Sequence, residues 1–294
     1  MVDSNAPVTV VTGANSGIGR ATAIHLAGAG HRVVGTVRSM AKADKLLALA
    51  GDAGVMVELV ELDVADDDSV RDGFAEIHEL TGRVDHLINN AGVGGNSVVE
   101  ECPSEMYLDV FNVNVVGTTR CTQAVLPEMR ERGSGSIVNI TSVAGRIAAL
   151  AQSPYVASKW ALEGLSEGLA QELAPFGIRV VIVEPGVTKS SIFAKNIDAP
   201  NSTGAYDTHY RRMFQFYAAG MAGATDPTEV GRVIEHAITT DAPKLRYPVS
   251  WGGEEMATLH DRIADEDWLE LGRIEDDADY IRRFDQIFGI DIST

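Results

Sequence analysis

The chain has 294 residues, 45% of them hydrophobic, with 29 glycines and 10 prolines, which excludes disorder as its main state and fits one large core or two smaller ones. Its 24 basic residues face 42 acidic ones, a net charge of -18, so bulk electrostatics repel nucleic acid and anionic lipid and neither partner is expected. Cys102 and Cys121 form no disulfide framework and lack zinc spacing, and no apolar run reaches the ~18 residues a membrane span needs. The N-terminus runs from Asp3, Ser4 and Asn5 straight into Val8 without a basic region or cleavage pattern, so the expectation is a cytoplasmic protein.

The first apolar run, Val8 to Val11, is too short for a helix and reads as a buried strand. It ends in Thr12-Gly13-Ala14-Asn15-Ser16-Gly17-Ile18-Gly19, and helical spacing follows from Gly17 to Ala29. A glycine-rich turn leading into a helix lets backbone N–H groups approach a pyrophosphate, and the helix N-terminus adds partial positive charge. The spacing Gly-x3-Gly-x-Gly departs from the commonest dinucleotide fingerprint. A second strand, Arg32 to Val37, runs into Arg38-Ser39, where an NAD site would carry a carboxylate for the ribose 2'-hydroxyl. With no carboxylate to repel a 2'-phosphate and an arginine able to fork onto it, NADP(H) is expected ahead of NAD(H).

Strands over Val55 to Val60, His86 to Ile88, Ser136 to Ile140 and Ile178 to Val183 alternate with helical stretches Ala41 to Ala50, Ser69 to Thr81, Ser104 to Arg132 and Pro154 to Pro175. That alternation predicts an α/β fold, a single Rossmann-type doubly wound parallel sheet with helices on both faces. Tyr155 and Lys159 stand four apart where the last of these helices opens, which puts both side chains on one face. An ammonium there favours the phenolate and makes the pair a candidate general acid/base.

With Asn89-Asn90-Ala91-Gly92 after the fourth strand, Asn114 inside a long helix, Ser142 past the fifth strand and Tyr155-Val-Ala-Ser-Lys159, the sequence resembles a classical short-chain dehydrogenase/reductase over about residues 7 to 188. The resemblance implies a catalytic set of Asn114, Ser142, Tyr155 and Lys159. Tyr155 would exchange the proton with the substrate oxygen, Ser142 would hold that oxygen, and Lys159 would bind the nicotinamide ribose and lower the Tyr155 pKa. Asn114 would hold a water in the proton relay. Cofactor contacts are implied for Gly13, Asn15, Ser16, Gly17, Ile18 and Gly19, for Arg38, for Asp63 with Val64 at the adenine, for Asn90, Ala91 and Gly92, and for Pro185, Gly186, Val187 and Thr188 near the nicotinamide. By the same analogy the long helices holding Asn114 and Tyr155 would pair across a two-fold axis in a homodimer or homotetramer.

Residues 189 to 224 fall where this family carries its substrate-binding loop. Phe193, Tyr206, Tyr210 and Phe214, together with Ser142 and Tyr155, are the candidate contacts to a bulky apolar alcohol or ketone. Tyr206, Tyr210, Met213, Phe214, Tyr217 and Met221 recur at helical spacing, which a helix packing on the core explains equally well. Segments near Pro227, Leu245 and Tyr280 to Gly289 are loosely similar to the 17-beta-hydroxysteroid and retinol dehydrogenase branch, whose substrates are steroid-like or retinoid-like. The acidic stretch from Asp261 to Asp279 reads as solvated helices against the sheet edge, so residues 225 to 294 form a helical extension of one domain.

Four other readings compete with this one. Gly164-Leu-Ser166-Glu-Gly168 matches a hydrolase nucleophile elbow, but Ser166 sits deep in a helix where the motif needs a strand before it. The seven histidines show no metal spacing, so no metal site is expected. A non-catalytic nucleotide sensor would be favoured by loss of Tyr155 or Lys159, and both are present. An NAD-dependent enzyme acting on a sugar or acyl-type polar alcohol is the remaining alternative.

Overall fold

The structure is a computed structural model and describes residues 5–190, 200–259 and 262–293. In chain order its elements are β1 (Val8–Val11), α1 (Gly17–Gly28), β2 (Arg32–Val37), α2 (Asp44–Asp52), β3 (Val57–Glu61), α3 (Asp67–Thr81), β4 (His86–Asn89), α4 (Ser104–Phe111), α5 (Gly117–Arg132), β5 (Gly135–Ile140), α6 (Ser153–Leu173) and β6 (Ile178–Pro185). These are followed by α7 (Asp207–Ala222), α8 (Pro227–Thr239), β7 (Arg246–Val249), α9 (Gly253–Leu259), α10 (Asp265–Arg273) and α11 (Asp277–Phe288). The strands form one parallel sheet in the order β3-β2-β1-β4-β5-β6-β7, which reverses direction between β1 and β4 and opens a crevice above their carboxyl ends.

Successive strand residues serve opposite faces, which is why the inner strands carry adjacent Val, Ile or Leu residues rather than a strict alternation. Val11, Val33, Val138 and Val181 join one core with Ala23 and Leu26 of α1, Leu46 of α2 and Val230 and Ile234 of α8. Val10, Val34, Ile137 and Val180 join the other with Phe74 and Ile77 of α3 and Cys121, Val125 and Met129 of α5. The helix expected from Ser104 to Arg132 is continuous but is interrupted by one wide π turn, Asn112–Val116. Strand β7 lies where no strand was expected. Its Arg-Tyr-Pro-Val sequence carries a proline that an interior strand would not tolerate, and its place at the sheet edge, paired only with β6, removes that objection.

The C-terminal extension is helical and packs a third core: Tyr280, Phe284 and Phe288 of α11, Leu271 of α10 and Met256 of α9 close over Val143 and Ile147. The acidic residues expected on a wet face do cap and flank these helices, and Asp276 accepts from the Asp279 N–H at the start of α11. No helix among the described residues is long and apolar enough to cross a membrane.

Candidate active site

The glycine loop after β1 has the shape of an anion cradle. Gly13 and Gly17 take positive φ of 66° and 52°, which a side chain would strain, and a Cβ on Gly19 would run into the Asn90 amide and stand 2.6 Å from the Gly13 carbonyl. Ser16 caps α1 without a side-chain hydrogen bond and no acidic residue lies in the first turn, so the opening N–H groups of α1 keep their donors for an anion. Thr12 braces the loop: its Oγ1 accepts from the Asn90 and Ala91 N–H groups, each at 3.0 Å, while Asn90 Nδ2 donates to the Thr12 carbonyl at 2.8 Å. This loop geometry fits the pyrophosphate of a dinucleotide.

Arg38 follows β2 directly, is exposed, and has no ion pair among the described residues. Asp63 is half-buried and accepts the Ala65 N–H at 3.0 Å, whereas the Val64 side chain is buried in the core against Gly117 and leaves only its backbone for a ligand. On the far side, Val187 is buried beneath Gly220 of α7, and the Thr188 hydroxyl donates to Ser250 Oγ at 2.8 Å. Ser250 itself holds a positive φ of 74° in the turn after β7, a residue the sequence reading did not single out.

The four expected catalytic residues converge from three elements. Ser142 caps the turn after β5, its Oγ accepting from the Ala144 N–H at 3.1 Å and donating to the Pro185 carbonyl at 3.3 Å. Tyr155 and Lys159 share a face of α6, with the Lys159 ammonium 5.7 Å from the phenol ring centre. Asn114 lies in the π turn, a deformation that frees backbone from the helix ladder, and its amide is fully engaged: Nδ2 donates to the Val93 carbonyl and to Ser158 Oγ at 2.9 Å, and Oδ1 accepts from the Val93 N–H at 2.8 Å. Ser158 Oγ in turn donates to the Tyr155 carbonyl at 2.7 Å. It therefore ties Asn114 to the catalytic helix, a link present in the Tyr-Val-Ala-Ser-Lys string to which no role was attached.

Electrostatics in this cleft differ from the expectation that Lys159 lowers the Tyr155 pKa. Burial pushes the phenol above its ordinary value, and the group opposing it is the Ser142 hydroxyl. Lys159 Nζ is itself buried, donates to the Ile140 carbonyl at 2.8 Å, and is pulled down to about 8 by desolvation against the pull of Glu163. The Lys159 ammonium, turned toward a main-chain carbonyl, is not among the groups that move the phenol.

On the substrate side the expected contacts separate. Phe193 lies outside the described residues. The Tyr210 hydroxyl is consumed by backbone, accepting from the Val98 N–H at 3.2 Å and donating to the Pro200 carbonyl. Tyr206 donates to Glu100 near the surface, and Phe214 packs edge-to-face on Tyr217. Tyr217 is the member of this stripe coupled to Tyr155: burial first and the Tyr155 phenol second raise its pKa, while its hydroxyl donates to Asn96 at 3.0 Å. Beside the cleft, the Ile147–Leu150 segment and the C-terminal helices enclose an apolar cavity of about 130 Å³, lined by Met213, Phe216, Trp268 and Phe284 among others. Ser166 is fully buried inside α6, accepting from Asn139 and donating to the Leu162 carbonyl, which removes the hydrolase reading.

The sequence matches the family model described as short chain dehydrogenase over residues 7–201. It is 36% identical to human 17-beta-hydroxysteroid dehydrogenase type 1 over 253 residues, covering 82% of this chain and 76% of that protein. The fold is similar to that of a short-chain dehydrogenase from Streptomyces avermitilis, with a TM-score of 0.80 and 38% identity over 92% of this chain and 96% of the other. It is also similar to an actinorhodin polyketide ketoreductase solved with NADPH, with a TM-score of 0.72 and 32% identity over 84% and 96% of the two chains.

Proposed function

The chain belongs to the short-chain dehydrogenase family, and from that premise we propose that it interconverts a secondary alcohol and a ketone, or a primary alcohol and an aldehyde, on a bulky apolar substrate with NADP(H) as the preferred cofactor. The observation that carries this reading is the convergence of Ser142, Tyr155 and Lys159 beside a glycine cradle shaped for a pyrophosphate. The cradle N–H groups would hold the pyrophosphate, Arg38 the 2'-phosphate, Asp63 and the Val64 backbone the adenine, and Lys159 the nicotinamide ribose. The nicotinamide supplies or accepts the hydride.

In the reducing direction Tyr155 gives its hydroxyl proton to the substrate oxygen as that oxygen gains electrons, and in the oxidising direction it takes the proton back. Ser142, with an Oγ that both accepts and donates, orients the oxygen toward that proton. Tyr155 is neutral at pH 7, burial having raised its pKa, so the donor form is the resting one and reduction needs no prior protonation. Both amide atoms of Asn114 have protein partners, so its part in a relay would rest on the second lone pair of its backbone carbonyl, which already accepts from Thr118 Oγ1 at 3.0 Å. The apolar cavity lined by Ile147, and the aromatic Tyr217 coupled to Tyr155, support an apolar portion on the substrate rather than a sugar, the cavity being large enough for only part of a bulky molecule.

The relatives named above, one a hydroxysteroid dehydrogenase and one a ketoreductase bound to NADPH, support both substrate class and cofactor. Exposed Leu108, Val116 and Trp160 on the helices flanking the site support a homo-oligomer, which sedimentation reads directly. The deciding experiment is Tyr155→Phe, which keeps the ring and removes the proton. Turnover of ketones with NADPH should fall ~100-fold or more while NADPH affinity stays near wild type. A variant that keeps most of its turnover overturns the mechanism.

A further inference from the structure

One turn beyond Lys159, on the face of α6 that carries Tyr155, stands Glu163, and its surroundings are more charged than packing requires. Glu163 is 5% exposed and Glu184, at the end of β6, is 1% exposed. Arg246 of β7 grips Glu163 Oε2 through Nε at 3.1 Å and Nη2 at 3.0 Å, and its Nε also stands 3.5 Å from Glu184 Oε1. Arg146, next to the Ser142 turn, approaches the same Glu184 oxygen at 3.7 Å. One oxygen of each carboxylate is buried without a hydrogen-bond donor among the described residues. Gly145 presses this turn onto α6 so closely that a Cβ there would lie 3.0 Å from Glu163 Cγ and from the Lys159 carbonyl.

Apolar side chains of the same volume would pack here at least as well, because two buried carboxylates cost desolvation that their arginines only partly offset. We propose that Glu163 is a positioning residue for Lys159: its buried carboxylate keeps the ammonium charged at the pH where the cofactor ribose is gripped. The proposal rests on the reading of Lys159 as the ribose-binding lysine.

The signs are consistent. Desolvation pulls Lys159 down to about 8, and the Glu163 charge is the force that opposes it. The other titratable and charged groups facing the pair are Tyr155 from α6, its ring centre 5.7 Å from the Lys159 ammonium, Glu184 from β6, Arg146 from the Ser142 turn, Arg246 from β7 and the half-exposed Glu167 from α6. Glu184 is pushed up to about 7, by burial first and by Glu163 second, against Arg146 and Arg246. It is therefore only partly charged near neutrality. The ammonium is lost as pH rises through the Lys159 value, so cofactor affinity should fall on the basic side.

The test is the pH dependence of NADPH affinity, measured by fluorescence titration from pH 7 to 9.5, without turnover. Wild type should lose affinity above about pH 8, and Glu163→Gln should move that limb down by about one pH unit, the scale expected of one charge at this range in a partly screened interior. Glu163→Asp, which keeps the charge, should hold the wild-type limb, as should Glu167→Gln on the exposed side of Arg246. Glu163→Ala gives the same reading as the glutamine variant if that one fails to fold. A folded neutral variant with an unmoved limb overturns the proposal, and so does an aspartate variant that shifts like the glutamine, since packing rather than charge would then be at issue. A wild type that binds neither NADPH nor NADH overturns the cofactor reading itself.

Discussion

Replacing Arg38 with alanine tests the cofactor preference at a single side chain. The Ala14 N–H donates to the Thr36 carbonyl at 2.9 Å, which stitches the glycine loop to the end of β2 and holds Arg38 two residues from that stitch. Glu61, in register with Val37, has its carboxylate on the Met40 N–H at 3.1 Å, so Arg38 is not already neutralised by it. A charge-assisted fork onto phosphate contributes ~1.5 to 3 kcal/mol in favourable settings, but an exposed guanidinium is screened, and exposed ion pairs contribute ~0 to 1 kcal/mol. A 2'-phosphate of about -1.5 to -2 charge raises that, so we expect ~1 to 1.5 kcal/mol, or roughly 5- to 12-fold in affinity. Arg38→Ala should weaken NADPH by that factor and leave NADH unchanged, and Val37→Asp with Arg38→Ala should shift preference toward NADH. Titrations at about 50 and 300 mM salt add a check, because the wild-type margin should shrink as the Debye length falls. Equal loss for both cofactors, or a wild type that binds NADH more tightly, would refute the argument.

Ala149 lines the apolar cavity, and Ala149→Leu would fill much of its 130 Å³. It should raise KM for a bulky apolar ketone ~10-fold or more and leave a three-carbon ketone unchanged, whereas equal effects on both substrates would detach the cavity from substrate binding. His86, at the start of β4, is pulled down to about 4 by burial first and by His31 second, and the two rings lie 5.6 Å apart. An unfolded histidine protonates near 6.5, so the folded state loses ~3 kcal/mol as pH falls from about 6.5 to about 4. His86→Phe should flatten that decline in urea unfolding at pH 7, 5.5 and 4.5, and parallel declines in the two proteins would count against it.

The sheet was legible because both its faces are covered. Strands β1, β2, β4, β5 and β6 bury neighbouring residues in opposite cores, so each carries a short apolar run that can be found without knowing its partners, while edge strand β3 keeps only Val57 and Val60 buried between its glutamates. Strand β7 fails that test. Its Arg246 points its charge at Glu163 and Glu184 and its Pro248 sits where only an edge strand accepts it, so the segment shows neither alternation nor an apolar run. The π turn at Asn112–Val116 was illegible for another reason: Asn-Val-Asn-Val-Val is weak helix-forming sequence, but nothing in it specifies a wider turn, and the Asn114 amide finds its partners on the Val93 backbone and Ser158 only in the fold.

The same division runs through the site. Residues at short sequence spacing, such as Tyr155 with Lys159, or Gly13 with Gly17 and Gly19, could be assigned roles because local geometry alone brings them together. Residues that act across elements could not be assigned from spacing, and Ser142 and Asn114 had roles only through the family resemblance. Periodicity groups Tyr206, Tyr210, Phe214 and Tyr217 on one helix, yet it carries no information about which hydroxyl the surrounding backbone claims. Tyr210 spends its hydroxyl on Val98 and Pro200, and Tyr217 gives its own to Asn96, because the chain from Asn96 to Val98 crosses α7. Glu163 shows the sharper form of the problem. Its spacing of four from Lys159 was open to view, but a carboxylate on a helix face is usually solvated, and only the approach of Arg246 and Glu184 from two strands takes it out of water. Once it is dry, its charge acts on Lys159 at a strength that solvent would otherwise remove.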